Sequence, residues 1–478
     1  MTEKVMNLPS PSIYEVIEHN LDPNLKLPRE FSLRAHRRSP GEKLVYADGF
    51  MEGNLTGPDP GEETSQELLE ILEKLRDKQF GEALKALNAF FDEDEELMNP
   101  LVGMVHEFIG QQDQAVVGDL IYFAKHLLVE TDRIELVKFA LTLLEYYPSE
   151  YDMEVGRQIL DLAQCNEFTL FALRNMVQWD DSQEMIFELI QHVYGWGRIF
   201  AMEVLDPEPA EVQHWMLEQG WDNDVNPEYT ALMIATDVKL DEVLRQAEKI
   251  SEAAFRGASV LVEGLLQDEP IPGISEWPDP LGLLNHYLEQ ALERKLSWKE
   301  YQTIWHVVQF GEQHKDQPGM TGLVTKGGKL LTTFACAEVV IKAMEQGEGF
   351  ELARALELPY HPAAEKLVRE DPLGNVELLS YALTTDQLHN QELTGLYEKA
   401  LPLEALAAGR VQPGGDELEL ELAYMQLAMV VGQLYGFPGV GEDLVHAALH
   451  CGNALCQEVA QQVEEQWHDL GWSHQLCN

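Results

Sequence analysis

The sequence is poor in basic residues, in cysteine and in long apolar runs. Its 478 residues include 33 Lys and Arg against 83 Asp and Glu, which gives a formal charge of −50. Proteins that bind a phosphate backbone need clustered Lys and Arg to displace counterions, so this composition excludes nucleic acid as a partner. The protein therefore has a large excess of acidic residues.

Cysteines and long apolar segments are both scarce. Five cysteines, an odd number without framework spacing, favour free buried thiols in a reducing compartment over disulfides. The longest nearly uncharged apolar stretch, residues 424–434, has roughly half of the ~20 residues that a membrane span needs, and the first residues lack the apolar core of a secretory signal. We therefore expect a cytoplasmic protein with no membrane partner.

Alternating, strand-like patterns are nearly absent, whereas apolar residues at helical spacing run through most of the chain. The segment after Asp279 is an example, because Asp279 suits a helix cap and Pro280 suits the first helical position. Leu281, Leu284 and Leu288 then recur at the spacing of one buried stripe. This pattern predicts an all-α protein.

The predicted helices between residues 150 and 267 form four successive pairs, each of about 30 residues. The pairs are 153–163 with 167–179, 182–194 with 197–205, 209–218 with 227–238, and 240–250 with 252–267. Helices this short are marginal alone and gain stability by stacking on their neighbours. The period therefore predicts a HEAT-like α-solenoid of stacked helix pairs.

Breaks in the helical pattern divide the chain into four predicted parts. These are an irregular N-terminal arm over 1–62, a helical repeat region over 63–268, a second helical region over 269–411, and a C-terminal helical unit over 412–478. Pro- and Gly-rich segments at 268–280 and 409–415 predict bends, and 311–330 is predicted to be a long Gly-rich loop. Within the arm we predict one helix at 13–19 and a short strand near 44–46.

The arm differs from the rest of the chain in charge. Residues 1–46 hold seven Lys and Arg and six acidic residues, a balance of +1, so 26 basic and 77 acidic residues remain over 47–478, a charge of −51. Arg34, Arg37 and Arg38 would screen this repulsion if the arm lay across the acidic body. We expect that arrangement; the alternative is that the arm binds another anionic surface.

Motifs of phosphate binding and of common hydrolases are not found. Residues 322–329 (GLVTKGGK) approach a phosphate-binding loop, but Lys does not directly follow the second Gly of the required spacing, and Ser or Thr is absent. The GxSxG, HExxH and CxxC patterns and a dinucleotide fingerprint are also missing. No cofactor is predicted from these motifs.

The C-terminus concentrates side chains that bind metals, with four of the fifteen His and three of the five Cys near the end of the chain. His446 and His450 are four residues apart on a predicted helix, so both rings can face one ion. Asp443 lies one turn before them and Cys451 directly after. A metal ion at Asp443, His446, His450 and Cys451 is the alternative to a polar edge of helix packing.

Three side chains of the repeat region are candidates for ligand binding. Trp196 and Arg198 alternate with two glycines, and a guanidinium stacked on an aromatic ring suits a carboxylate ligand. Trp215 is the third candidate. The alternative is that the glycines form a tight turn, Arg198 pairs with a neighbouring acid, and the Trp residues fill the repeat packing.

Five short segments carry a resemblance to a known family. They are 46–53 (YADGFMEG), 118–122 (GDLIY), 192–199 (HVYGWGRI), 215–220 (WMLEQG) and 226–229 (NPEY). They resemble bacterial proteins that carry the label limonene hydroxylase, and the likeness covers most of residues 20–265. The resemblance implies an oxygenase acting on a monoterpene, chemistry that requires O₂ activated by haem, flavin or iron. It transfers no catalytic residue to this sequence.

Two classes of function follow from these observations. The one that we favour is a non-catalytic helical-repeat scaffold whose acidic surface binds a basic protein or peptide. The other is an enzyme, either the monoterpene hydroxylase that the resemblance implies or a metal-dependent enzyme that uses the C-terminal His and Cys residues.

Overall fold

A computed structural model describes residues 11–37, 46–54, 61–91, 97–246, 248–268, 271–408 and 417–472. Helices dominate these ranges and no β-strand occurs in them, which confirms the prediction of an all-α protein. Among the helices of the same ranges, none combines the length and apolarity that crossing a membrane requires.

Helices follow one another closely along the first half of the described chain. They are α1 (Ile13–Asn20), α2 (Leu33–Arg37), α3 (Phe50–Asn54), α4 (Glu62–Arg76), α5 (Phe80–Phe90), α6 (Val102–Gly110), α7 (Gln114–Glu130), α8 (Ile134–Leu144), α9 (Met153–Ala163), α10 (Thr169–Met176), α11 (Ser182–Ile190), α12 (Gly195–Val204), α13 (Ala210–Trp215) and α14 (Glu228–Asp237). Single 3₁₀ turns, Asn99–Leu101 and Ser149–Tyr151, precede α6 and α9, and a π-helical turn, Met216–Gly220, extends α13.

The second half of the described chain continues in the same way. Its helices are α15 (Leu240–Leu244), α16 (Glu252–Gln267), α17 (Pro280–Ala291), α18 (Trp298–Gln313), α19 (Met320–Leu331), α20 (Phe334–Met344), α21 (Phe350–Ala355), α22 (His361–Glu370), α23 (Leu379–Ala382), α24 (Gln387–Ala400), α25 (Leu403–Ala408), α26 (Glu417–Gly432), α27 (Glu442–Leu449) and α28 (Ala454–Asp469). Two further 3₁₀ turns are Ile274–Glu276 and Val376–Leu378.

The chain divides into two compact units. Unit 1 comprises the described residues up to Leu240 together with Gln267–Ile274, and unit 2 comprises Asp241–Leu266 and the described residues from Ser275 onward. Each unit has its own apolar core. The largest fully buried side chains include Phe139, Phe168 and Phe171 in unit 1, and Phe255, Tyr287 and Tyr397 in unit 2.

Several helices begin at local sequence signals. Asp279 accepts a hydrogen bond from Gly282 N at 2.9 Å and Pro280 is the first residue of α17, as predicted. Asp152 caps α9, whose bounds equal the predicted 153–163. The eight helices predicted between 150 and 267 all occur, although α15 ends at Leu244, six residues earlier than predicted.

The prediction of a long Gly-rich loop over 311–330 is wrong. Helix α18 continues to Gln313 and α19 begins at Met320, so only a short turn separates them. The glycines serve packing here, because a Cβ on Gly327 would lie 2.5 Å from Cγ2 of Val308 on α18. Glycine at this position allows the two helices to approach closely.

The arm contains more helix than predicted. The predicted helix is α1, which begins with a capping box in which Ser12 and Glu15 exchange hydrogen bonds, and α2 and α3 are additional. Tyr46 is not in a strand, and residues 44 and 45 of the predicted strand lie outside the described residues. The bend predicted at 409–415 also lies outside them.

The arm lies against the acidic body of unit 1, as its charge predicts. Helix α1 packs against α7 and α9. Arg34 forms an ion pair with Glu167 at 2.7 Å, and Arg29 forms one with Asp222 at 2.8 Å. Arg38 lies outside the described residues.

The described cysteines are free and buried, as expected for a protein without disulfides; they are Cys165, Cys336, Cys451 and Cys456. Burial raises the pKa of the Cys336 thiol to about 11 and that of the Cys456 thiol to about 12. Since the thiolate is the reactive form, the raised pKa values indicate that Cys336 and Cys456 pack as small apolar groups.

Candidate functional site

Helix α8 carries a polar stripe through the interior of unit 1. Every residue from Glu135 to Leu144 is buried, and most of them are apolar. Glu135, Lys138 and Thr142 recur every three or four positions, which places them on one face of the helix, and Glu145 follows at the same spacing. These four residues are the polar stripe.

Three carboxylates surround the Lys138 ammonium. Its Nζ lies 2.5 Å from Glu52 Oε1, 2.8 Å from Glu135 Oε1 and 2.7 Å from Glu167 Oε1, and the side chain is 0% exposed. Burial by itself disfavours a charged lysine, but the three carboxylates outweigh it, so the pKa of Lys138 is raised. Lys138 is therefore a permanent cation in the protein interior.

The arm supplies a second cation. Arg34 Nε and Nη2 donate to the two oxygens of Glu167 at 2.8 and 2.7 Å, which is a bidentate pair. Burial would raise the pKa of Glu167, but Lys138 and Arg34 lower it to about 2, so Glu167 stays ionised. We name this group the Lys138 cluster; its members are Arg34, Glu52, Glu135, Lys138 and Glu167.

Asp48 fixes the backbone of the arm beside the Lys138 cluster. Its Oδ2 accepts a hydrogen bond from Leu33 N at 2.6 Å, and its Oδ1 accepts from Ser32 Oγ at 3.0 Å and Arg34 N at 3.1 Å. These bonds satisfy donors at the start of α2, from which the Arg34 side chain reaches Glu167. Burial and the charge of Glu167 raise the pKa of Asp48.

The far end of the polar stripe meets two more ionisable side chains. Glu145 Oε2 lies 3.0 Å from His106 Nε2, and Arg174 Nη2 donates to Asn99 Oδ1 at 3.0 Å. Three buried atoms here and in the cluster have no hydrogen-bond partner among the described residues: Glu52 Oε2, Glu145 Oε1 and Arg174 Nη1. Buried polar groups of this kind are ordinarily satisfied by ordered water.

The Glu145 carboxyl gives a pH dependence of stability. Burial raises its pKa from 4.5 to about 7, and the charge of Arg174 offsets this only in part. The folded-state pKa of Glu145 exceeds the unfolded one. The stability that this carboxyl contributes is therefore fully present below pH 4.5 and is lost as the pH rises through about 7. The variant Glu145→Gln cannot ionise, so above about pH 7 it should be more stable than the wild type by roughly 1–2 kcal/mol, after allowance for solvent screening.

Denaturant unfolding of the wild type and Glu145→Gln from about pH 5 to about pH 8 measures this difference. Burial and the charge of Arg174 lower the pKa of the neighbouring His106, a contribution of opposite sign. Glu107→Gln, on the exposed face of α6, is the matched control and should track the wild type. A stability gain for Glu145→Gln that stays constant with pH would contradict the assignment.

The Lys138 cluster also holds the one group of described His, Cys, Asp and Glu side chains with spacing suited to a metal ion. Ligand atoms of Glu52, Glu135 and Glu167 all lie within 4.8 Å of one another. Lys138 Nζ already contacts an oxygen of each, so its ammonium takes the position of a cation. These residues therefore do not fit an iron ion, which is one of the three O₂-activating groups, haem, flavin or iron, that the resemblance to an oxygenase implies.

The ligand-binding candidates Trp196, Arg198 and Trp215 are all buried. Arg198 Nη1 donates to the main-chain oxygen of Asp222 at 2.6 Å, and the guanidinium lies 5.6 Å from the centroid of the Trp215 ring. Trp196 instead packs against the arm, where a Cβ on Gly53 would overlap its indole. The structure brings Arg198 and Trp215 together and gives Arg198 a main-chain partner; that they bind a ligand stays a prediction.

The metal-binding candidates near the C-terminus do not converge on one point. His446 and His450 stack with ring centroids 4.3 Å apart, while Cys451 is buried and its Sγ donates to Ala448 O at 3.1 Å. Among the described residues, neither these side chains nor Asp443 belong to a group of three with ligand spacing. A metal ion here stays a prediction that rests on the histidine pair.

An acidic groove of about 370 Å³ opens on the surface of unit 1. The 3₁₀ turn before α9, α9 itself and the turn between α10 and α11 border it. Met153 is 90% exposed and Tyr151 is 73% exposed, so large side chains are open to solvent in a groove that carboxylates also line. We name this feature the acidic groove; its exposed or charged lining includes Glu150, Tyr151, Met153, Asp180, Asp181 and Met185.

The groove and the Lys138 cluster are two features of unit 1 with a distinctive arrangement of charges. No family model, curated protein or solved structure matches this chain. The assignment of function therefore rests on the charges, contacts and exposure of the residues themselves.

The sequence interpretation missed both features, although each left a signal. Glu135 and Lys138 stand in an otherwise apolar helical segment, and a charged pair in such a segment indicates a buried ion pair. Residues 46–53, singled out only for a resemblance, supply Asp48 and Glu52 to the cluster and its surroundings. The signal for the groove is Met153, the first residue of α9. It lies outside the apolar stripe that α9 buries, so the sequence predicts that this methionine is exposed.

Proposed function

We propose that the protein is a non-catalytic, HEAT-like helical-repeat protein whose acidic surface binds a basic protein or peptide. The packing of unit 1 supports the repeat assignment, since α10 packs against α8, α9 and α12, and α12 packs against α11 and α14. Such nearest-neighbour contacts are typical of stacked helix pairs. In proteins of this kind the stack offers an extended surface to a partner.

The proposal rests on the excess of acidic over basic residues in the chain. Even if each of the 33 Lys and Arg residues neutralised one acid, 50 of the 83 acidic residues would remain. Many basic side chains already form ion pairs with acidic residues of the same chain. Such pairs are Lys26 with Glu188, Lys78 with Asp119, Lys125 with Asp152, Arg157 with Glu18, Arg245 with Asp241, Arg294 with Glu252, and Lys326 with Glu289.

A surplus of one sign acts on partners at a distance. It raises the local concentration of a cationic molecule and speeds its encounter with the surface. Dissolved salt screens this attraction, because the Debye length falls from about 10 Å at 0.1 M to about 3 Å at 1 M. The proposed binding is therefore sensitive to ionic strength.

Affinity for a basic peptide is expected to fall steeply with salt. Fluorescence anisotropy of a labelled oligolysine peptide with the full-length protein should show binding that weakens roughly tenfold or more from about 0.05 M to about 0.5 M salt. An oligoglutamate peptide of the same length and label is the control and should not bind. Equal oligolysine affinity at both salt concentrations would contradict the electrostatic basis of the proposal.

A further inference from the structure

We infer that the acidic groove of unit 1 is the docking site for a basic segment that also carries a long apolar side chain. This inference rests on the proposed function and names the site and the class of segment. The groove joins the two properties that such a segment recognises, an exposed apolar surface and a cluster of carboxylates around it.

Exposed apolar side chains form one half of the site. Met153 and Tyr151 are 90% and 73% exposed, and Met185 is 37% exposed, whereas Trp179 of the same lining is only 7% exposed. Methionine is unbranched and polarisable, so it adapts to partner side chains of different shape. Large apolar side chains that share one exposed groove mark a contact surface more than scattered single residues do.

Carboxylates form the other half. Glu150 Oε2 accepts a hydrogen bond from Asp180 N at 2.7 Å, and Asp180 Oδ2 accepts one from Tyr151 OH at 2.8 Å. These bonds hold the two acids in place beside the apolar side chains. Asp181 is exposed at the start of α11 and makes no side-chain cap bond there.

The basic residue in the groove lining, Arg157, offsets these three acids only in part. Its Nη2 lies 3.1 Å from Glu18 Oε1 and 3.1 Å from Tyr14 OH, so its charge is engaged by the arm. Three lining acids, Glu150, Asp180 and Asp181, therefore set the sign of the groove. A positively charged segment complements them.

Charge also selects among occupants of the groove. A second copy of the chain carries the same −50 and would bring acids towards acids. A purely apolar segment would leave the carboxylates unpaired or force them to lose water. A segment of Lys or Arg next to Leu, Met or an aromatic residue satisfies both halves, and a groove of about 370 Å³ has room for the apolar side chain.

The test uses the full-length protein and two labelled peptides of equal charge and length. One alternates Lys with Leu, and the other alternates Lys with Ser. Fluorescence anisotropy at low salt gives both affinities. The wild type should bind the Lys-Leu peptide roughly tenfold more tightly than the Lys-Ser peptide, because only the former uses the apolar half of the groove.

Two variants separate the halves of the groove. The triple change Glu150→Gln, Asp180→Asn and Asp181→Asn keeps the side-chain shapes and removes the charge, and it should weaken binding of both peptides roughly tenfold or more. Met153→Ser should weaken only the Lys-Leu peptide, so that the two peptides bind nearly alike. Circular dichroism and thermal unfolding of each variant should match the wild type, since the changed side chains lie at the surface.

The matched control removes the same number of charges elsewhere on unit 1. Glu63→Gln, Glu67→Gln and Glu70→Gln change exposed residues of α4 and should reduce affinity less than about twofold. Equal weakening by the groove and α4 triples, with the wild type still binding, would overturn the groove as the site while leaving the proposed function in place. A wild type that binds neither peptide would overturn the proposed function itself, and equal affinity for both peptides would overturn the apolar half of the site.

Discussion

Replacement of Lys138 by Met is expected to lower the free energy of unfolding of unit 1 by about 3–5 kcal/mol. The substitution keeps an unbranched chain of similar length and removes the cation. Glu52, Glu135 and Glu167, each with an oxygen within 2.8 Å of Nζ, would then lie together without Lys138 to neutralise them. Each carboxylate must then take up a proton or repel its neighbours in the interior, and both outcomes cost stability.

Denaturant unfolding followed by tryptophan fluorescence measures the loss, with each unit allowed its own transition. Lys85→Met, an exposed position on α5, is the matched control and should stay within about 0.5 kcal/mol of the wild type. The deficit of Lys138→Met should narrow as the pH falls below about 5, because protonation neutralises the three carboxylates. A loss under about 1 kcal/mol at neutral pH would show that Lys138 does not hold the cluster together.

Glu167→Gln is the second substitution with a large expected effect, about 3 kcal/mol or more at neutral pH. Glu167 is 0% exposed and receives hydrogen bonds from Arg34, Lys138 and Gly49 N. Glutamine retains one acceptor and removes the charge that compensates the two buried cations. The exposed ion pair of Lys26 with Glu188 gives the comparison, since Glu188→Gln should cost less than about 1 kcal/mol.

The same variant should change how the protein responds to acid. Lys138 and Arg34 lower the folded-state pKa of Glu167 from 4.5 to about 2 against the effect of burial, so its contribution is present above pH 4.5 and is lost as the pH falls towards 2. Glu167→Gln should therefore differ most from the wild type at neutral pH and approach it in acid. A difference that does not shrink in acid would contradict the ionised state of Glu167.

A double-mutant cycle with Arg34→Met tests whether Glu167 also anchors the arm. The bidentate geometry of this pair predicts a coupling energy of about 1–3 kcal/mol. Limited proteolysis gives an independent measurement, because Arg34→Met should expose the arm to cleavage while helices α4 to α14 remain protected. Additive effects of the two substitutions would show that the contact contributes no stability of its own.

The helices that the sequence predicts with their bounds are those whose determinants are local. Helix α17 follows from Asp279, Pro280 and an apolar stripe within one segment, and α9 from a cap at Asp152. Helix α19 was predicted to be a loop because its glycines lower helix propensity. Its helical state depends on packing of Gly327 against Val308, a contact that the local pattern does not specify.

The candidate sites were harder to predict for a related reason. The two histidines at positions 446 and 450 stack as their spacing indicates, yet the nearby Asp443 and Cys451 do not join them. In the Lys138 cluster, the sequence indicates a buried lysine but not its partners. Glu52 reaches Lys138 across 86 residues of chain, and only the path of the arm over the helices determines that meeting.

The contact of the arm with the Lys138 cluster also limits when the arm can fold. Arg34 meets Glu167 across 133 residues, so the arm cannot form this contact until the chain has been synthesised as far as Glu167. At about 5–20 residues per second, the ribosome needs on the order of ten seconds to make that stretch. Contacts between such distant segments also form slowly because a long loop must close. The segment of unit 1 that leaves the ribosome first is therefore among the last to reach its native position.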